Sequence, residues 1–306
     1  VTAGREVVAR APAKVNVHLA VGPLRPDGFH ELRTVYLAVS MFDTVTVRPG
    51  AGLSLTVSGE GSGGAVPADR RNLVWRAAEL LAAHAGVPAH ASIDIAKTIP
   101  AAAGLAGGSA DAAATLVALD ALWGTRAGRG DLAVLAAQLG SDVPFSLLGG
   151  VALGTGRGEQ LSPVLAGTRW HWVLGIAGEG LSTPAVYAEL DRLRAAGRVP
   201  DGAELAAAEP VIAALRSGPP AALAGALAND LQAPALALRP ELRRALRAAT
   251  DAGALAALVS GSGPTVAALT GDESGAVGLT AALAGAGVFR TVRAVHGPVP
   301  GARLVS

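Results

Sequence analysis

The chain reads as an α+β protein of two layered domains, and three observations predict this. Its 306 residues are 51% hydrophobic and only 16% charged, which supplies the apolar side chains for a substantial core. Up to about residue 160, strand-like runs surround one strand–glycine loop–helix unit. After Leu161 the pattern changes: helices cluster first, and short apolar strands return towards the C-terminus. A boundary is therefore expected between Gly158 and Gly167, and no internal repeat is present.

Val7–Ala11 and Val15–Val21 read as strands, the second with Asn16 and His18 alternating with apolar partners. Pro26-Asp-Gly-Phe-His30 is a turn. Leu32–Val39, Thr44–Arg48 and Leu53–Val57 follow as strands, and Asp69–Gly86 as a helix with Leu73, Ala77, Leu80 and Leu81 at helical spacing. Ala91–Ala96 is a strand that runs into Lys97; a helix spans about Ala110–Trp123, and another spans Asp131–Leu139 and stops at Gly140. Gly149 to Gly158 reads as a hairpin. In the second half, Trp170–Ile176 is a strand and Thr183–Ala196 a helix that opens on Thr-Pro. Ala203–Arg216, Pro220–Ala228 and Pro240–Gly253 are helices. Ala256–Val259, Thr265–Leu269 and Thr291–Val295 are strands, and the last two flank a helix over Ala276–Ala284.

The most informative stretch is Pro100-Ala-Ala-Ala-Gly-Leu-Ala-Gly-Gly-Ser109. Gly104, Gly107 and Gly108 let the backbone turn sharply and leave its N–H groups open to a ligand. The helix that follows points its unpaired N–H groups and positive dipole end back at the loop, which makes an anion site, most naturally for phosphates. A branched Cβ at Gly107 is expected to intrude where phosphate approaches. A tight loop packed on a sheet is the competing reading.

The chain has 25 lysines and arginines, and only two of them, Lys14 and Lys97, are lysine. A sequence that uses arginine for generic positive charge keeps lysine where a compact ammonium is needed. Lys97 precedes the glycine loop, and Lys14 lies in Ala11-Pro-Ala-Lys-Val-Asn-Val17. A net charge of +1 gives no electrostatic case for nucleic acid. There is no cysteine, hence no disulfide framework, and the six histidines lack metal spacing, so no metal ligands are assigned among them. The first six residues contain no apolar signal core, and the longest uncharged run, Ala252–Gly271, is broken by Ser260-Gly-Ser-Gly-Pro. A soluble, cytoplasmic protein with no membrane partner is expected.

Gly59-Glu-Gly-Ser-Gly-Gly64 matches a dinucleotide-loop pattern, but no helix opens at its third glycine. Walker and nucleophile-elbow motifs are absent. Asp142, in Gly140-Ser-Asp-Val-Pro-Phe145, follows a helix stop and precedes a proline; it is either a turn cap or a reactive carboxylate. Val259-Ser-Gly-Ser-Gly-Pro-Thr265 reads as a tight connection between strands.

Pro-Ala-Lys-Val-Asn early, Ala-Gly-Leu-Ala-Gly-Gly-Ser in the middle and Ser-Gly-Ser-Gly-Pro late resemble the three-motif order of the GHMP kinase superfamily. Within it, Arg25-Pro-Asp-Gly-Phe-His-Glu-Leu32 and Gly140-Ser-Asp-Val-Pro-Phe145 resemble the family of kinases acting on 4-diphosphocytidyl-2-C-methyl-D-erythritol (CDP-methylerythritol) in non-mevalonate isoprenoid biosynthesis. The resemblance covers nearly the whole chain. It implies a ribosomal-S5-like, ATP-binding N-terminal domain (1–160) and a ferredoxin-like, substrate-binding C-terminal domain (161–306), with the active site between them. ATP would phosphorylate the 2-hydroxyl of the methylerythritol unit. Asp142 would accept or orient the hydroxyl proton, and Lys14 would pair with Asp142 and offset charge on the transferring phosphoryl. Asn16 would position the substrate. The loop from Pro100 through Gly104, Leu105, Ala106, Gly107, Gly108 and Ser109 would wrap the triphosphate, with Asn72 and Lys97 near the nucleoside end. Phe29 and His30 match the cytidine site; Tyr187, after Thr183-Pro, would bring a second aromatic face to the cytosine. Related loops carry two serines after the glycines, and here the second is Ala110. Mg2+ would therefore be held largely through ATP oxygens and water, with Ser109 as a further ligand.

Two other readings stand beside this one. One is a GHMP kinase for homoserine or a mevalonate derivative, against which the Phe29-His30 pair argues because it suits a nucleobase. The other is a catalytically silent binding protein of the same fold, against which the presence of both Lys14 and Asp142 argues.

Overall fold

The computed structural model describes residues 6–60, 64 and 66–305. The N-terminal stretch read for a signal core lies mostly outside these residues, as do positions 61–63 of the Gly59–Gly64 run.

The first half is built on two long strands, β1 (Val7–Leu24) and β2 (His30–Arg48), paired antiparallel. The sequence reading divides each into two strands; the structure keeps each continuous. Register shifts at Pro12/Ala13, Asn16/His18 and Val21/Leu24 absorb the irregularities, and Pro12, which has no N–H to give a ladder, sits at the first of them. After β3 (Leu53–Gly59) comes α1 (Leu73–Ala85), which begins later than expected. Asn72 is its N-cap, accepting from Val74 N–H at 2.9 Å. Then follow β4 (Ala91–Lys97), α2 (Gly107–Trp123), α3 (Arg129–Leu139), α4 (Val143–Leu148), β5 (Val151–Thr155) and β6 (Gln160–Pro163). The sequence reading assigns no helix to Val143–Leu148, where Pro144 sits in the first turn of α4.

The second half comprises β7 (Trp170–Ile176), α5 (Thr183–Ala195), α6 (Glu209–Ser217), α7 (Pro220–Ala226), β8 (Ala228–Asn229), α8 (Gln232–Leu238), α9 (Leu242–Asp251), β9 (Ala256–Val259), β10 (Val266–Thr270), α10 (Glu273–Gly285), β11 (Thr291–Gly297) and β12 (Arg303–Leu304). The helix expected from Ala203 begins only at Glu209, and α8 was not foreseen.

Two sheets organise these elements. Among the described residues the larger runs β12-β1-β2-β4-β3, with β5 and β8 added on β2 and β1, and β6 on β5. The smaller runs β11-β7-β10-β9, all antiparallel. With α10 joining β10 to β11 and α9 leading into β9, the smaller unit has the β-α-β-β-α-β order of a ferredoxin-like fold. The chain does not part cleanly near residue 160, because β6, β8 and β12 all return to the larger sheet. Val15, Val35, Leu37, Ile93, Leu116 and Leu119 are buried in the main core, where α2 packs on the sheet. Trp172 and Leu174 of the smaller sheet belong to the same cluster, so the halves share apolar surface. No helix among the described residues is long and apolar enough to cross a membrane.

Candidate active site

A cleft of about 670 Å³ is lined from both halves of the chain. Its floor comes from β1. Ala13 and Val15 turn into the core with no exposure, so the strand's two-residue period brings Lys14 and Asn16 to the opposite, cleft-facing side. The Lys14 Nζ donates to Asn16 Oδ1 at 2.6 Å, and Asn16 Nδ2 donates to Thr34 Oγ1 at 2.8 Å, whose hydroxyl in turn donates to the His18 carbonyl. This chain of bonds fixes the ammonium before any ligand arrives.

Asp142 meets it from α4. It occupies the N-cap position of that helix, yet its side chain makes no capping bond. The reading of Asp142 as a turn cap therefore fails, and the carboxylate is left for other partners. Oδ1 accepts from the Tyr36 hydroxyl at 3.0 Å, and Oδ2 lies 3.6 Å from Lys14 Nζ. The Asp142 side chain is 30% exposed and that of Lys14 7%, so the carboxylate reaches into the cleft while the ammonium backs it. Tyr36 was missed by sequence reasoning. Burial, and next the Asp142 charge, push its phenol well above the usual tyrosine range, so it stays a neutral donor stacked on Phe145.

The glycine loop forms the facing wall. Gly104 has φ +76°, and a Cβ there would lie 2.1 Å from the Ser260 carbonyl. Ser260 Oγ also donates to the Gly104 carbonyl, and Lys14 N–H donates to that of Leu105. The late Ser-Gly-Ser-Gly-Pro turn is thus more than a strand connection: it clamps the phosphate-type loop. Its Gly261 passes so close that a Cβ would come within 3.1 Å of Lys14 Nζ. Helix α2 begins at Gly107 with Ala106 as an N-cap that offers no side-chain bond, so no cap side chain competes for its first N–H groups.

Gly107 and Gly108 have different reasons. A Cβ at Gly107 would meet Ile99 at 3.1 Å, on the core side, which corrects the expectation that it would intrude on phosphate. A Cβ at Gly108 meets only Leu73, at 3.9 Å. Gly108→Val is therefore expected to raise the apparent ATP constant at least tenfold with little change in Tm, whereas Gly107→Val lowers Tm. Kinetics with each substrate varied, beside thermal melts, check this; equal effects on both substrates from Gly108→Val would refute it.

Several loop-associated residues lie outside the cleft lining. Asn72 caps α1 and donates to the Pro67 carbonyl at 2.7 Å. Pro100 lines a separate cavity of about 270 Å³, and Leu105 is fully buried. Lys97 is not at the surface of the cleft at all. Its side chain is 1% exposed, and Nζ donates to Asp43 at 2.5 Å and to Asp111 at 2.6 Å. Asp43 also accepts from Thr98 and Ile99 N–H, so one buried cluster ties β2, the start of the loop and α2 together. Burial opposes the Lys97 ammonium, but Asp111 and Asp43 outweigh it and raise its pKa. Burial, then the Asp43 charge, push the Asp111 carboxyl up to about 8 against the pull of Lys97. Sequence reasoning missed Asp43 and Asp111, although an acid inside the apolar run Ser40-Met-Phe-Asp-Thr-Val45 was the available signal.

The far end of the cleft is aromatic. The His30 and Tyr187 rings stack with centroids 5.0 Å apart, and His30 Nε2 lies 3.0 Å from Asp191 Oδ1. Phe29 is 47% exposed, open to the cleft rather than packed in the core, and the Arg157 guanidinium lies 4.8 Å from its ring centre. Thr183 and Ser262, hydroxyls 2.9 Å apart, complete this wall.

A lysine–carboxylate pair facing an uncapped helix N-terminus and a glycine loop, on two such sheets, defines a small-molecule kinase of the GHMP class. The GHMP kinases N-terminal domain model matches residues 72–150, and the GHMP kinases C-terminal model matches 211–288. At 58% identity over 99% of this chain and 96% of the relative, it is similar to the 4-diphosphocytidyl-2-C-methyl-D-erythritol kinase of Rhodococcus jostii; the like-named protein of Mycobacterium tuberculosis is 57% identical over 98% and 93%. A crystal structure of 4-(cytidine 5'-diphospho)-2C-methyl-D-erythritol kinase superposes with a TM-score of 0.75 at 34% identity, covering 95% of this chain and 98% of that one. A homoserine kinase from Cytophaga hutchinsonii (TM-score 0.76, 20% identity, 98% and 97% covered) shares the fold. The chain belongs to the 4-diphosphocytidyl-2-C-methyl-D-erythritol kinase family.

Proposed function

We propose that this protein transfers the γ-phosphoryl group of ATP to the 2-hydroxyl of CDP-methylerythritol. One observation carries the reading: the uncapped Asp142 carboxylate, held by Tyr36 and backed by Lys14, shares a cleft with the uncapped start of α2 and with the His30–Tyr187 stack. Family membership supports the same substrate over homoserine or mevalonate.

Phosphoryl transfer is mostly positioning and charge stabilisation, and each need has a residue here. The backbone N–H groups of Gly107, Gly108 and Ser109 receive phosphate oxygens. The Asp142 carboxylate takes the proton of the attacking hydroxyl, oriented by the Tyr36 O–H on its other oxygen. Lys14 offsets charge on the moving phosphoryl, and Asn16 holds Lys14 in place. Residues 161–306 supply Tyr187 and Thr183 to the acceptor side.

Ser109 and Asp142, with Ser141 beside it, line the cleft where loop and carboxylate meet, Ala110 has no hydroxyl, and no metal-binding group of three acidic, His or Cys residues exists among the described residues. This donor set fits Mg2+ held mainly by ATP oxygens and water, in keeping with that ion's reluctance to dehydrate. When bound, Mg2+ neutralises charge on the phosphates.

ADP release measured with CDP-methylerythritol, homoserine and mevalonate tests the proposal; turnover with either of the last two and not the first would refute it. Tyr187→Ala and Phe29→Ala are each expected to raise the acceptor KM about ten- to hundredfold, the equivalent of ~1.4–2.8 kcal/mol, with the ATP constant nearly unchanged. Unchanged acceptor constants in both variants would remove the aromatic wall from the substrate site.

A further inference from the structure

We propose that Asp191 determines the base preference of the acceptor site by fixing the tautomer of His30. The inference rests on the function proposed above and concerns a residue outside the motifs that led to it. Helix α5 carries Tyr187 and Asp191 four residues apart, on one face. Both act on the same imidazole: Tyr187 stacks on the His30 ring, and the Asp191 carboxylate meets its Nε2 at 3.0 Å. The stack sets the plane of the ring, and the carboxylate sets its rotation within that plane.

The chemistry then selects a tautomer. An ionised carboxylate only accepts hydrogen bonds, so Nε2 must carry the proton. In the neutral ring Nδ1 is left as an acceptor, and among the described residues it makes no hydrogen bond. His30 lines the cleft although its side chain is only 6% exposed, so that acceptor is offered to a bound base from a largely desolvated ring. Cytosine presents an exocyclic amine, a donor, on its N4 edge; uracil presents a carbonyl oxygen there, as thymine does. An Nδ1 acceptor bonds the first and sets lone pair against lone pair with the second. A site built to bond one group rejects the analogue that lacks it, because its own polar atom is left unpaired. Asp191 is thus a positioning residue: it acts through His30.

The competing explanation is a clasp that merely ties α5 to β2. Two measurements on the full chain separate them. The first is a long-range proton–nitrogen spectrum of 15N-histidine-labelled protein without ligands at pH 8. The expected result is a protonated Nε2 and an unprotonated Nδ1 on His30, with loss of that single state in Asp191→Ala. A His30 protonated on Nδ1 in the unaltered protein overturns the proposal, whether or not the variant folds. The second is kcat/KM for CDP-methylerythritol against its uridine counterpart. The unaltered enzyme is expected to favour cytidine at least a hundredfold, and Asp191→Ala to reduce that ratio tenfold or more through KM, with kcat little changed. An unchanged ratio, with both KM values raised together, identifies a clasp and overturns the proposal. Turnover of neither acceptor by the unaltered enzyme counts against the proposed function, while the spectrum still decides the tautomer.

Discussion

Asp142→Asn is expected to lower turnover by roughly 10²–10⁴-fold while leaving the fold and both substrate constants close to those of the unaltered enzyme. The amide keeps the size of the carboxylate and can still accept from Tyr36, but it cannot take a proton from the acceptor hydroxyl. Because Asp142 caps nothing, its replacement removes no helix bond, and a small change in Tm is part of the expected result. Lys14→Arg is expected to fail to a similar degree. The Lys14 ammonium sits between Asn16, Asp142 and the backbone at Gly261, where a Cβ would already come within 3.1 Å of Nζ. A planar guanidinium is larger and directs its donors as a fork, so it cannot occupy that space as a point charge. Since the two groups act together, the double variant should be little worse than either single one. Steady-state turnover of the three variants checks this, and near-normal turnover in Lys14→Arg would refute the role given to the ammonium.

The largest stability effect is expected at the other lysine. Lys97→Met leaves Asp43 and Asp111 facing one another, buried, with their shared cation gone. Removing one member of such a buried cluster costs about 3–5 kcal/mol. In a chain of this size that is a fall in Tm on the order of 10 °C. The glycine loop should loosen as well, because Asp43 holds Thr98 and Ile99 N–H at its start. The same cluster sets a pH dependence. The Asp111 carboxyl has a folded-state pKa raised to about 8, so between the ordinary carboxylate range and that value the folded protein binds more protons than the unfolded chain. Its contribution to stability is fully present below that range and is lost as pH rises through about 8. Asp111→Asn should flatten this part of the stability–pH curve. Denaturant melts of the three proteins between pH 5 and 9 provide the test; an unaltered slope in Asp111→Asn would contradict the raised pKa, and a Lys97→Met protein as stable as the parent would show that the cluster does not hold the loop.

Much of the fold was legible because it rests on local chemistry. The strand–glycine loop–helix unit, the strand periods around it and the change of pattern after Leu161 depend on residues close together in the chain. Boundaries failed where a tertiary contact decided them. Continuous β1 and β2 need bulges that only pairing reveals, and α1 starts where Asn72 finds Val74 N–H. The small strands β8 and β12 exist only because β1 offers them partners.

For the site, residue order alone sets which chemistry is available. It set two lysines against many arginines, an aspartate between a helix stop and a proline, a glycine loop that opens a helix, and an aromatic–histidine turn. How these groups are used depends on where folding places them. Lys14 and Lys97 look alike as isolated lysines beside motifs, yet one faces the cleft and the other is sealed between two carboxylates. Tyr36 and Asp191 carry no motif; they matter because folding brings a phenol to Asp142 and a carboxylate to His30. Hydrogen bonds and ion pairs depend on ångström-scale distances between groups far apart in the chain, 106 residues for Tyr36 and Asp142 and 161 for His30 and Asp191, and local pattern carries no record of such distances.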